Sequence, residues 1–79
     1  MTLDEILDNY PDEQFLKADG FDSAIIGLDP VSMKLIYDRR IMVEILIEDN
    51  MTEEDAIEYL EFNTWNTYFG DYTPIYIEM

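Results

Sequence analysis

Nineteen acidic side chains stand against only four basic ones, Lys17, Lys34, Arg39 and Arg40, in this 79-residue chain, a net charge of −15. Any compact state must hold together against its own repulsion. Nothing covalent assists: there is no cysteine for a disulfide and no histidine, so no Cys/His metal site can form. Cohesion must come from packing, alone or completed by a partner, in a chain near the lower size limit of a domain. The apolar complement suffices for a core. Hydrophobic residues make up 48% of the chain, with six Tyr, four Phe and one Trp, which a disordered acidic tail lacks. One folded domain over residues 1–79 is expected.

The same charge sorts the partners. Phosphate contacts need clustered Lys and Arg, so direct nucleic-acid binding is disfavoured, as is an anionic membrane surface. A basic protein surface is favoured. A halophilic source also produces acidic chains, but this one is rich in Ile and large aromatics, and its acids gather in particular segments. Residues 1–10 carry no basic n-region of a signal peptide, and the longest apolar run is far too short to span a membrane. A cytoplasmic location is expected.

Periodicity and caps divide the chain into an α-β-β-α-α-β order. Thr2-Leu3-Asp4-Glu5 reads as a capping box opening a short helix that ends at Pro11, with Leu3, Ile6, Leu7 and Tyr10 on one face. Asp12 to Phe21 reads as a connector, with Phe15 and Leu16 against the body and Asp19-Gly20 as a turn. Ser23 to Leu28 reads as a strand, Asp29-Pro30 as a turn and Met33 to Tyr37 as the second strand of a hairpin. Residues 33–38 also fit the start of a long helix; the strand is preferred because Asp38 makes a good N-cap for a helix starting at Arg39. From Arg39 to Asp49 the polar positions Arg40, Glu44 and Glu48 form a narrow stripe on an otherwise apolar, central helix, with Asn50 as its C-cap.

Thr52 N-caps a last helix whose first turn holds Glu53, Glu54 and Asp55, matching the helix dipole. It is expected to reach about Tyr68 and stop at Gly70. Ala56, Ile57, Tyr59, Leu60 and Phe62 are its buried side, and Glu54, Glu58 and Glu61 an acidic stripe continuing to Trp65. Thr73 to Ile77 is a final strand, with Pro74 marking an edge position. The simplest fold is α+β: a three-stranded, antiparallel-type sheet packed against a central helix.

Several blocks resemble a known family. They are Asp19-Gly20-Phe21-Asp22-Ser23-Ala24-Ile25-Ile26-Gly27, Leu35-Ile36-Tyr37-Asp38, Met51-Thr52-Glu53-Glu54-Asp55-Ala56-Ile57-Glu58-Tyr59, Glu61-Phe62-Asn63, and Tyr68-Phe69-Gly70-Asp71-Tyr72-Thr73-Pro74-Ile75. Together they resemble a family of short acidic uncharacterised proteins of tailed bacteriophages and prophage-carrying bacteria, over about three quarters of the chain. The resemblance implies a viral setting, hence a host-cell cytoplasm, and a compact fold. It transfers no catalytic or binding residue.

Catalytic chemistry finds little support. There is no Ser/His or Cys/His pair. With glycines only at 20, 27 and 70, there is no phosphate-binding loop. Carboxylate pairs such as Glu58 with Glu61, or Asp71 with Glu78, lack any sign of a pocket that would shift a pKa. Asp19, Asp22, Asp29 and Asp38 flank the hairpin, but their spacing is that of turns and caps rather than of an EF-hand loop. No enzyme, metal or cofactor is expected. Arg39 and Arg40, at a helix start where the dipole disfavours them, are expected to pair with Asp38 and Glu44, and the Asn63 amide to bond the loop Gly70–Thr73.

The densest acidic surface is Glu48, Asp49, Glu53, Glu54, Asp55, Glu58 and Glu61. Carboxylates at i, i+4 lie about 6 Å apart and successive phosphates of one strand about 7 Å, so this face is able to imitate nucleic acid. A solvated face that keeps the protein soluble is the plainer explanation. Trp65, Tyr68, Phe69, Tyr72 and Tyr76 cluster near the C-terminus, as core filling or as an interface anchor, with Trp65 and Tyr72 the partly exposed ones. The partner-binding candidates are Glu48, Asp49, Glu53, Glu54, Glu58, Glu61, Trp65 and Tyr72. The functional expectation is a phage-encoded acidic binding protein that inhibits a host defence or nucleic-acid-handling protein by occupying its basic, phosphate-binding surface. The alternative is a structural or assembly module of a phage, as a homodimer or other homo-oligomer, with no inhibitory role.

Overall fold

The computed structural model describes residues 1–78. Local sequence chemistry starts each helix. Helix α1 spans Leu3–Asn9 with the capping box complete: Thr2 Oγ1 accepts from the Glu5 N–H at 3.3 Å, and Glu5 Oε1 accepts from the Thr2 N–H at 3.1 Å. Those Thr2 donors hold the Glu5 carboxyl below its usual pKa. Only Ile6 of this helix is fully buried, and Leu7 is exposed.

Strands β1 (Ile25–Asp29) and β2 (Lys34–Asp38) form the expected antiparallel hairpin, so residues 34–38 are strand and not helix. Ser23 and Ala24 belong to a short 3-10 turn (Asp22–Ala24) rather than to the strand. The register skips one residue between Ile25 and Gly27, a bulge whose Ile26 carbonyl accepts from the Met1 ammonium at 3.1 Å. The hairpin turn closes with Met33 N–H on the Asp29 carbonyl at 2.7 Å and Val31 N–H on Asp29 Oδ1 at 3.0 Å. Met33 there adopts a left-handed φ of 58°.

Asp38 ends β2 and caps α2 (Arg39–Glu48), its Oδ1 accepting from the N–H groups of Arg40 at 2.8 Å and Ile41 at 3.3 Å. Helix α2 closes in a Schellman arrangement: Asn50 N–H reaches Ile47 O at 3.0 Å and Met51 N–H reaches Leu46 O at 3.1 Å. Asn50 is the left-handed residue, at φ 75°. The helix is less enclosed than its composition implied. Met42 and Val43 are buried, Ile41, Ile45 and Leu46 are half-buried, and Ile47 is exposed.

Helix α3 (Glu53–Leu60) starts at Thr52, whose hydroxyl accepts from Asp55 N–H at 3.1 Å. It does not run on to Tyr68. At Glu61 it widens into a π-helical turn, Glu61–Trp65, and ends there. Strand β3 (Ile75–Ile77) then lies beside β2 at the sheet edge, as Pro74 indicated, but parallel to it, Tyr37 opposite Tyr76. The sheet is therefore mixed, not wholly antiparallel. A parallel neighbour needs a long crossover, and α2, α3 and the segment 61–74 supply it.

The core gathers Ile6, Phe21, Ala24, Ile25, Leu35, Tyr37, Met42, Val43, Ala56 and Leu60, drawn from every helix and from β1 and β2. Tyr37 is its largest fully buried side chain. The Tyr37 hydroxyl accepts from the Ala18 N–H at 2.9 Å, which ties the connector to the sheet, and its ring lies 5.5 Å from that of Tyr76. Burial pushes its pKa up to about 12.

Candidate functional site

The acidic residues are almost all at the surface: every one except Asp29 and Asp38 is exposed. The hairpin carboxylates perform local tasks. Asp38 caps α2, Asp29 accepts from Val31 N–H, and Asp22 lies 3.8 Å from Lys17 Nζ. Among the described residues no cluster of acidic side chains has a metal-binding arrangement, and no helix is long and apolar enough to cross a membrane.

The acidic surface expected around α3 divides in two. Glu53 and Glu61 line a cleft of about 310 Å³ with Arg39, Arg40, Ile57 and Trp65. There Arg40 bridges Glu44 at 3.3 Å and Glu53 at 3.7 Å, an exposed network worth little in stability but enough to occupy Glu53. Arg39 does not pair with Asp38. Its guanidinium carbon sits 4.9 Å from the centroid of the Trp65 ring, while its buried Nε has no partner among the described residues. Trp65 is half-buried, and its Nε1–H donates to Met42 Sδ at 3.5 Å. Trp65 thus braces α2 against the π-turn, with its face already taken by an arginine.

The second part of that surface lies elsewhere on the helix. Asp55 and Glu58 line a shallow depression of about 290 Å³ with Tyr59, Phe62 and Asn63. Glu54 is exposed nearby on the same helix, and neither Glu54 nor Glu58 makes an ion pair among the described residues. Glu48 and Asp49 are exposed at the end of α2, where Asp49 is the C-cap. Tyr72 is exposed in the turn after Gly70 and lines neither cavity.

Two aromatic side chains depart from the sequence reading. Phe62 is 77% exposed and Tyr59 46% exposed, whereas both were expected on the buried side. With about 3.6 residues per turn, the buried Ala56 and Leu60 and the half-buried Ile57 define one seam, and Phe62 falls nearly opposite it. The spacing alone carries that signal, whereas the usual burial of phenylalanine points the other way. The π-turn was not legible, because its geometry departs from the 3.6 period. It is stitched by side-chain amides: Asn63 Nδ2–H donates to Tyr59 O at 2.9 Å, instead of to the Gly70–Thr73 loop, and Asn66 Nδ2–H to Glu61 O at 3.2 Å. That loop closes on Thr73, whose hydroxyl accepts from Phe69 N–H at 2.8 Å and donates to Gly70 O at 2.7 Å.

A second aromatic group, Tyr68, Phe69 and Tyr72, is exposed around the same loop. The α3 face thus combines uncompensated carboxylates with accessible rings, an arrangement suited to binding cations and unsuited to binding phosphates. No protein-family model, curated protein or solved structure matches this chain.

Proposed function

We propose that this protein is an acidic binding protein that inhibits a host defence or nucleic-acid-handling protein by occupying its basic, phosphate-binding surface. The viral setting comes from the bacteriophage resemblance of the sequence blocks. The observation that carries the reading is the solvent exposure of nearly all the carboxylates, with Glu54 and Glu58 on α3 and Glu48 and Asp49 at the end of α2 left without a basic partner among the described residues. Charge of this density accelerates encounter with a basic groove and repels other anions. Trp65 belongs to the scaffold in this reading, and Glu53 contributes less than its neighbours because Arg40 holds it.

The test is affinity capture from host lysate at low and at high salt, with the triple variant Glu54→Lys, Glu58→Lys, Glu61→Lys alongside. A partner that is released by salt, displaced by added nucleic acid and lost in the variant supports occlusion. Capture that is indifferent to salt and survives the three reversals sinks it.

A second reading is favoured by the exposed Tyr68, Phe69 and Tyr72: a phage assembly module that self-associates through this aromatic loop. A light-scattering mass of one chain at high salt, where repulsion between copies is screened, counts against that reading; a mass of two supports it.

A further inference from the structure

We propose that the depression between Tyr59 and Phe62 is a seat for arginine, and that the partner's basic surface is read there as arginine-rich rather than merely as positive. The inference rests on the acidic-binding reading above and adds a chemical preference to it.

Phe62 has no polar group, so its exposed ring has only its face and edge to offer. The carboxylates of Asp55 and Glu58 line the same depression and make no ion pair among the described residues. A ring face next to a carboxylate suits one common side chain best. The guanidinium group is planar, stacks on aromatic rings and donates two parallel hydrogen bonds to a carboxylate. A lysine ammonium is more strongly hydrated and satisfies only the charge. The depression's roughly 290 Å³ lies at the low end of small-molecule sites, which fits a single side chain better than a whole cofactor.

Charge selects among occupants. A second copy of this chain would bring another −15 to a face already acidic. A nucleic acid is excluded by the same sign. An arginine-rich segment of a protein that normally holds phosphates complements both the carboxylates and the rings. The π-turn is part of the device: the amides of Asn63 and Asn66 bond the carbonyls of Tyr59 and Glu61 and fix the backbone that carries Phe62.

The probes are two synthetic peptides of equal length and charge, one of alternating arginine and glycine, the other of alternating lysine and glycine. Binding is measured by titration calorimetry at low and at physiological salt. The protein is expected to bind the arginine peptide about three- to tenfold more tightly than the lysine peptide. In the variant Tyr59→Leu, Phe62→Leu, which keeps apolar bulk at two exposed positions and removes both rings, that ratio falls to about one while lysine-peptide binding is unchanged. Circular dichroism checks that the variant is folded, and Tyr59→Ala, Phe62→Ala provides a second version. Equal affinity for the two peptides, or a ratio that survives loss of both rings, overturns the arginine seat and leaves the acidic-binding reading standing. Failure to bind either peptide at low salt overturns both.

Discussion

Arg39 lies over the face of Trp65, 4.9 Å from guanidinium carbon to ring centroid, and this contact joins the first residue of α2 to the last residue of the π-turn. It resolves an awkward placement, since an arginine at a helix N-terminus faces the positive end of the dipole. The ring supplies the negative charge density that the helix end does not. A double-mutant cycle with Arg39→Met and Trp65→Leu is expected to show a coupling of about 1 kcal/mol in urea unfolding. Additive losses would mean that the contact is only steric.

Tyr37 makes stability depend on alkaline pH. Its folded pKa of about 12 lies above the ordinary value of 10, so the folded state resists its ionisation. The stabilisation is complete below pH 10 and is lost as pH rises from 10 through 12. A loss of about 2–3 kcal/mol is expected from this group across that window, read from urea midpoints at successive pH values. Tyr37→Phe should remove most of the dependence. It should also cost about 1–3 kcal/mol at neutral pH, because the Ala18 N–H loses its acceptor.

Met33 carries the left-handed backbone of the hairpin turn at φ 58°. Such a conformation costs a side chain with a Cβ about 1–2 kcal/mol, and glycine returns part of that gain through its greater freedom when unfolded. Met33→Gly is therefore expected to raise stability by about 0.5 kcal/mol, read as a higher denaturant midpoint with an unchanged slope. A loss of stability would assign the Met33 side chain a packing role larger than the strain.

Self-repulsion should be visible as salt-dependent stability. Screening shortens from about 30 Å at 0.01 M to about 3 Å at 1 M salt. With −15 on one small domain, the thermal midpoint should rise by about 5 °C over that range, the equivalent of roughly 1 kcal/mol. A midpoint that falls with added NaCl would show that the Arg40–Glu44 and Arg40–Glu53 contacts outweigh the net repulsion.

Local chemistry in the sequence was enough to determine where the elements begin. Thr2 with Glu5, Asp38, and Thr52 each cap the helix next to them, and Asn50 takes the left-handed position after α2. These interactions span three or four residues, so their partners are readable from spacing alone. The hairpin and the edge position of β3 were legible from turn residues and Pro74 in the same way. Charge, too, was a property of the chain: that nearly all the carboxylates are exposed reflects the cost of burying them unpaired.

Only the tertiary structure decided the features that depend on distant neighbours. The parallel setting of β3 comes from the path of the long crossover, which no local pattern encodes. The π-turn is held locally by the amides of Asn63 and Asn66 on the carbonyls of Tyr59 and Glu61, but the setting of Trp65 against Met42 and Arg39 at its end is long-range. Its consequences reach the candidate site. Trp65 packs inward under Arg39, Glu53 and Glu61 join the arginine cleft, and Phe62 is left in solvent beside Asp55 and Glu58. The acidic surface with which the sequence began is therefore two surfaces. One is shared with the protein's own arginines, Arg40 bridging Glu44 and Glu53, and the other is open and faced with rings, because packing against α2 fixes which side of α3 is free.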